Sequence, residues 1–513
     1  MHHASSYKPQ GMNPGMDLGL AGAFILLLCL NTWHHIPWSD ELHAWGLMRA
    51  STDPWTLFDN LHFEGHPGLW HVLLFAASLV APTPVAMKVL HLLLAASMIL
   101  LITRFAPFRT IEKAFLFANY FLVYEYAVLA RNYGLGLLLA LLHAMLRCAA
   151  TPRPILVGLV LGLMGNANVY AFVLSGLLVL EYGYSGLIAS RRLLAAGLAR
   201  IVAGIALYGA LMLLALASFW PDPAVAHFVQ QPSAFEMHDP VRFGVQFLRA
   251  LVPPFLPVDF SFPHSFAFAG NLFDYGKRVW FCLALAPFIL FALWRIFRTR
   301  IDLLAVILAV MTVAAIFSFL VYPAAIRHLG IVFIAFVAML WVAKAEAKVM
   351  PDPRAVLFLL GLGAIGGGFA QAGQWMRPFA INDQAVAWLR ANDLADAPLL
   401  GYPDMRVEPI GILLNRPFYA LDCECEARYV RLDNRRDSFI IESVPARLDR
   451  AARRYGPGPI VLIAGDPLDE PLREEIRAMG YTLVERVHLD GAERDIALTI
   501  LTVSRTPDGG TTR

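Results

Sequence analysis

The feature that most constrains this chain is a series of apolar blocks, each about 17–22 residues long, the length of helix that crosses a bilayer. They recur through residues 1–376. A backbone in hydrocarbon must satisfy its own hydrogen bonds, so each block reads as a helix. The chain is 58% hydrophobic, above the roughly 45–50% of soluble domains. A polytopic α-helical membrane protein is expected.

Eleven spans are expected, at residues 18–33, 85–103, 114–130, 134–150, 154–168, 170–189, 200–219, 279–294, 303–321, 329–343 and 355–372. The apolar run 69–80 is too short to cross and reads as a juxtamembrane helix. Charge supports leaving it out. Arg104, Arg109 and Lys113 then share the side of the N-terminus with Arg147 and Arg153, and with Arg191, Arg192 and Arg200. Arg295, Arg298 and Arg300, and Lys344, Lys348 and Arg354, fall there too. The positive-inside rule makes that side cytoplasmic. The C-terminus is then outside. The first block lacks a small-residue cleavage site and reads as a retained span. A bacterial inner membrane fits the odd span count.

The outer face then holds a first loop at 34–83, a turn at Arg131-Asn132-Tyr133, a long loop at 220–278 and a turn at 322–328. The long loop is rich in Pro, His and Phe and suits a lid or binding loop. From residue 377 charged residues become frequent and helical and strand patterns alternate. Strands are expected at 398–402, 418–421, 460–464, 482–487 and 496–503, and helices at 384–392, 407–414, 445–455 and 471–479. This predicts a soluble α/β domain over 377–513, on the outer face.

The residues that carry chemistry gather on that side. Asp40 and Glu41 follow the first span, where an ionised carboxylate is costly unless it faces a cavity, a partner or the interface. Either suits a general base. Ser39 or Asp40 suits equally well the N-cap of a helix over 42–49. Glu64 and His66 suit substrate binding, or capping of the 69–80 helix. Arg131 with Tyr133, and Arg327 with His328, sit at outer span ends, where cations are disfavoured. Arginine pairs bidentately with phosphate. A salt bridge to Glu125, or snorkelling, is the structural alternative. Asn166, Asn168 and Tyr170 interrupt two apolar spans, either as a cavity lining or as a hairpin turn. Lys277-Arg278 and the aromatic run 260–268 read as interface anchors. His62, His66, His71, His227, His238 and His264 lack a zinc spacing, so no metal site is assigned. Cys423 and Cys425 form a C-x-C that reads as two thiols, with a disulfide or a metal site as the alternatives. Gly465-Asp466 follows a buried strand, without a glycine-rich phosphate loop.

Trp38-Ser39-Asp40-Glu41, followed by Glu64-Gly65-His66-Pro67-Gly68-Leu69-Trp70-His71, resembles the first outer loop of the GT-C glycosyltransferases. The bacterial branch similar to protein O-mannosyltransferases and lipid A aminoarabinose transferases is the nearest likeness. In that family an Asp-Glu pair precedes a His-Pro-Pro-Leu-like motif that opens a juxtamembrane helix. Here Gly68 stands at the second proline. Ala130-Arg131-Asn132-Tyr133-Gly134 is similar to the family's R-x-Y motif. The likeness covers residues 15–345. It implies a polyprenyl-phosphate-linked sugar donor, inversion at the anomeric carbon, and Asp40 as base. No cofactor is required; a divalent metal is compatible but not indicated. The expected partners are that donor, membrane lipids, and a lipid, glycan or protein acceptor. A net charge of +2 gives no field for nucleic acid. The alternative is a non-enzymatic transporter, or an assembly scaffold with a partner-binding outer domain. Transporters carry internal repeats and broken helices, whereas the charges here lie at span ends.

Overall fold

The computed structural model describes residues 13–225, 240–258, 277–320, 325–376, 379–435, 444–456, 458–464, 468, 470–489 and 498–505. The helices begin with α1 (Pro14–His34), α2 (Ser39–Ala50), α3 (Pro54–Leu61), α4 (Leu69–Val80), α5 (Pro84–Phe105) and α6 (Thr110–Phe117). They continue with α7 (Asn132–Arg147), α8 (Pro154–Gly165), α9 (Val169–Gly183), α10 (Leu198–Phe219) and α11 (Pro240–Leu251). Then come α12 (Lys277–Phe297), α13 (Ile301–Leu320), α14 (Ile326–Ala345) and α15 (Pro353–Met376). Eight are long and apolar enough to cross a membrane: α1, α5, α9 with its π-helical extension to Ala189, α10, α12, α13, α14 and α15. The chain is a multi-pass membrane protein.

The other three expected spans come out shorter, for local reasons. The segment 114–130 is broken: α6 stops at Phe117 and a π turn covers Phe121–Glu125. Asn119 accepts the Phe121 N–H at 3.1 Å, and Gly367 of α15 presses so closely on the Ala118 carbonyl that a Cβ would collide with it. The segment 134–150 becomes α7, of 16 residues. The segment 154–168 becomes α8, of 12 residues. It ends where Asn166 donates to the carbonyls of Gly162 and Leu211, both at 2.8 Å. Asn168 then caps α9 through the Ala171 N–H at 2.9 Å. The two asparagines are thus the hairpin turn. The run 69–80 is α4, about 18 Å long at ~1.5 Å per residue, against a hydrocarbon thickness of about 30 Å.

One end of the bundle gathers the basic loops, tied by buried and half-buried ion pairs. Lys113 lies 2.6 Å from Asp17, Lys344 2.8 Å from Glu112, and Arg147 3.1 Å from Glu181. Arg147 and Arg300 share Glu346, at 2.5 and 3.0 Å. At the other end, His34 of α1 stacks on Trp375 of α15 at 4.5 Å, beside the first loop. Helix α14 connects the two ends, with Arg327 and His328 in its first turn and Lys344 in its last. Its apolar window is 94% buried.

The long loop contains α11, which was not expected from its sequence. His227, His238, His264, the run 260–268, Gly465-Asp466 and the side chains of Lys277 and Arg278 lie outside the described residues.

The C-terminal domain has helices α16 (Asn382–Ala391), α17 (Asp404–Leu413), α18 (Val444–Tyr455) and α19 (Glu470–Ala478). Its strands are β1 (Leu399–Tyr402), β2 (Phe418–Ala420), β3 (Cys425–Ala427), β4 (Ile460–Ala464), β5 (Tyr481–Leu489) and β6 (Leu498–Arg505). The sheet order is β3-β2-β1-β4-β6-β5. β1 pairs parallel with β2 and β4, and the other pairs are antiparallel. Strand periodicity splits the core in two. Leu400, Leu462 and Leu501 pack with Leu448 of α18 and Ile476 of α19. Leu399, Val461 and Ile500 pack with Leu389 of α16 and Ile410 of α17. Cys423 and Cys425 form a disulfide, which corrects the expectation of two thiols. Glu424 takes φ 51° between them, closing a turn that brings the two Cα atoms to 5.3 Å.

Candidate functional site

The adjacent carboxylates Asp40 and Glu41 have separate jobs, because successive helix positions face different directions. Glu41, the third residue of α2, accepts the Trp38 N–H at 3.1 Å, as in a capping box. Its carboxylate lies 2.7 Å from His35 Nε2 and accepts the Ala130 N–H at 2.6 Å. Burial alone would raise the Glu41 carboxyl; His35 and these N–H groups outweigh it and hold it below the usual range. Glu41 is therefore a buried staple joining the end of α1, the start of α2 and the turn before α7. It is not among the residues that line the cavity described below. Nor does Ser39 or Asp40 cap α2, since Trp38 occupies that position. Glu41→Ala is expected to cost about 3 kcal/mol, because it strands a buried N–H and uncouples a buried ion pair. Thermal melting in detergent checks this.

Asp40 faces a cavity of about 340 Å³. Arg327 Nη2 lies 3.2 Å and Arg131 Nη2 3.8 Å from its Oδ2. Arg131 also donates to the Asp40 backbone carbonyl at 2.5 Å. It does not pair with Glu125, whose carboxylate accepts the Tyr120 hydroxyl at 2.6 Å. The Arg327 guanidinium lies over the Trp38 ring at 5.3 Å. Gly134 follows Tyr133 because a Cβ there would strike the Tyr126 carbonyl. The Tyr133 hydroxyl is buried beside the Arg131 guanidinium. His328 Nδ1 accepts the Ala325 N–H at 3.0 Å, so Nε2 carries the proton. Tyr170 stacks on that ring at 4.9 Å. Glu64 and His66 complete this set of lining residues.

His43 is held between two carboxylates, with Nε2 2.5 Å from Glu64 and Nδ1 2.8 Å from Glu408. Burial would lower the His43 imidazole, but Glu408 and Glu64 raise it well above its ordinary value. Burial would raise Glu64, yet the His43 charge holds it below the carboxylate range. His66 is pushed down to about 4 by burial and by the Arg131 charge, which makes it neutral at neutral pH.

Glu408, with Met405, Val430 and Leu432, brings the C-terminal domain into the cavity wall. Glu408 also accepts the Val430 N–H at 2.8 Å. Reading the sequence missed this wall. The available signal was one acid inside the otherwise apolar run Val407–Leu413. The clasp carries a pH signature. The raised His43 contributes stability in full below about pH 6.5 and loses it as pH rises through its folded value. The depressed Glu64 contributes above about pH 4.3 and loses it as pH falls through its own. The melting-temperature gap between wild type and His43→Gln is therefore expected to be widest between about pH 4.5 and 6.5 and to close toward alkaline pH. A series of melts at graded pH measures it.

Among the described residues, no group of three or more His, Cys, Asp or Glu is placed to hold a metal ion. Comparison of the chain with protein families, curated proteins and solved structures finds no match.

Proposed function

We propose that the protein is an inverting glycosyltransferase of the GT-C type, moving a sugar from a polyprenyl-phosphate donor to a lipid, glycan or protein acceptor. In this reading all eleven apolar segments cross a bacterial inner membrane. The first loop and the C-terminal domain lie on the outer side, with the N-terminus in the cytoplasm.

The observation that carries the proposal is a carboxylate set against two arginines in one cavity, Asp40 with Arg327 and Arg131. A donor phosphate suits those guanidinium groups, and their charge stabilises it as it leaves. Asp40 takes the proton of the acceptor hydroxyl. The acceptor oxygen bonds to the anomeric carbon as the bond to the phosphate oxygen breaks. The lipid phosphate departs with that electron pair, and the configuration inverts. Tyr133 and His328 line the same cavity as the two arginines. Glu64, fixed by His43, shapes the wall rather than moving a proton.

The test is release of polyprenyl phosphate from a panel of polyprenyl-phosphate sugars in nanodiscs, with a membrane extract as acceptor. Release by wild type and not by Asp40→Asn supports the reading. No release and no binding of any donor would shift the reading to the scaffold or transporter alternative.

A further inference from the structure

The helix pair that frames the first cavity frames a second one farther along. Helices α2 and α17 meet where Gly46 lies against Ile412, a contact too close for a Cβ. Beyond that contact is a cavity of about 430 Å³ lined by Trp45, Arg49, Pro82, Pro84, Arg416 and Arg428. No carboxylate lines it. Arg49 comes from the first loop, and Arg416 and Arg428 from the C-terminal domain. Arg416 donates to the Ala395 carbonyl. Arg49 and Arg428 make no hydrogen bond or ion pair with any described residue. Three like charges around one concave space favour an anion there. Guanidinium groups match the geometry of a phosphate.

The cavity also sits at the edge of bare apolar surface. Leu79 and Val80 at the end of α4 are 74% and 88% exposed, and Val85 at the start of α5 is 60% exposed. Pro82 and Pro84 lie between them. A headgroup whose chains rest on that apolar surface would place its phosphate among the arginines. We propose that this cavity binds the phosphomonoester headgroup of a membrane lipid, gripped jointly by the first loop and the C-terminal domain. The site is separate from the Asp40 cavity and does not depend on the transferase reading.

The test is isothermal titration of the full chain in a nonionic detergent. The probes are short-chain phosphatidic acid, short-chain phosphatidylcholine and inorganic phosphate. Phosphatidic acid is expected to bind, phosphatidylcholine to bind little or not at all, and inorganic phosphate to bind far more weakly. Arg49→Gln/Arg428→Gln is expected to weaken phosphatidic acid by about tenfold or more, equivalent to ~1.4 kcal/mol. Arg153→Gln/Arg354→Gln, which removes the same charge at the opposite end of the bundle, is expected to leave it unchanged. Should the first double variant lose its melting transition, its two single variants carry the same comparison. Equal binding of phosphatidylcholine, or unchanged binding in the Arg49 and Arg428 variants, would overturn the site. Inorganic phosphate binding as tightly as phosphatidic acid would overturn the lipid assignment.

Discussion

Asp40→Asn is expected to reduce sugar transfer by about 10²–10⁴-fold, the range for loss of a general base. It should cost less than about 1 kcal/mol of stability, because its ion pairs are partly exposed. Asn keeps the shape of the side chain and loses its charge and its basicity. Asp40 is the counter-ion of Arg327, 3.2 Å away. A donor phosphate would take over that guanidinium and leave the carboxylate free to accept the acceptor proton. The variant lacks the competing anion, so its donor affinity should be unchanged or higher while its single-turnover rate collapses. Donor binding and single-turnover transfer, measured on the same preparation, separate the two effects. A variant that keeps its turnover would remove Asp40 from the chemistry.

Arg327→Gln is expected to lower kcat/KM for the donor by about 10²–10³-fold, as for removal of one group that stabilises developing negative charge. Arg327→Lys should recover part of this, since it restores charge without the planar fork. Arg131→Gln should act more weakly and differently. Its guanidinium is farther from the Asp40 carboxylate, at 3.8 Å, and it fixes the Asp40 backbone carbonyl. Initial rates against donor concentration distinguish a binding loss from a misplaced base. Equal rates for wild type and Arg327→Gln would exclude a phosphate role for Arg327.

Much of the architecture could be read from patterns with short repeats. The eight long apolar helices, the short α4 and the unbroken apolar run of β4 depend on neighbouring residues, and these emerged close to their expected bounds. The break after α6 depends on Gly367, far away on α15, and no local pattern carried it. The division of labour between Asp40 and Glu41 depends on helix phase, and reading their types could not separate them. Glu41 was turned inward by His35 and the Ala130 N–H, a partner from a distant turn. Arg131, Tyr133, Tyr170, Arg327 and His328 were each visible as polar residues at apolar span ends, and the fold brings all five to the cavity. Glu408 is different in kind. It belongs to the other domain and reaches His43 across 365 positions of sequence, a distance over which a single chain gives no pairing signal.

Helix α14 is enclosed by protein over almost all of its length, yet it is long and apolar enough to cross a membrane on its own. In the finished fold that greasiness meets hardly any lipid. A nascent segment partitions into the bilayer by its own composition, before it packs against the helices that surround it in the fold. The 20 residues of α14 therefore answer to two separate demands, admission to the bilayer during synthesis and a place in the completed bundle. A polar replacement that fits its final neighbours well can still strand the segment at the threshold. Failure of such a variant would show as wrong topology in the cell, not as a lowered melting point in the tube.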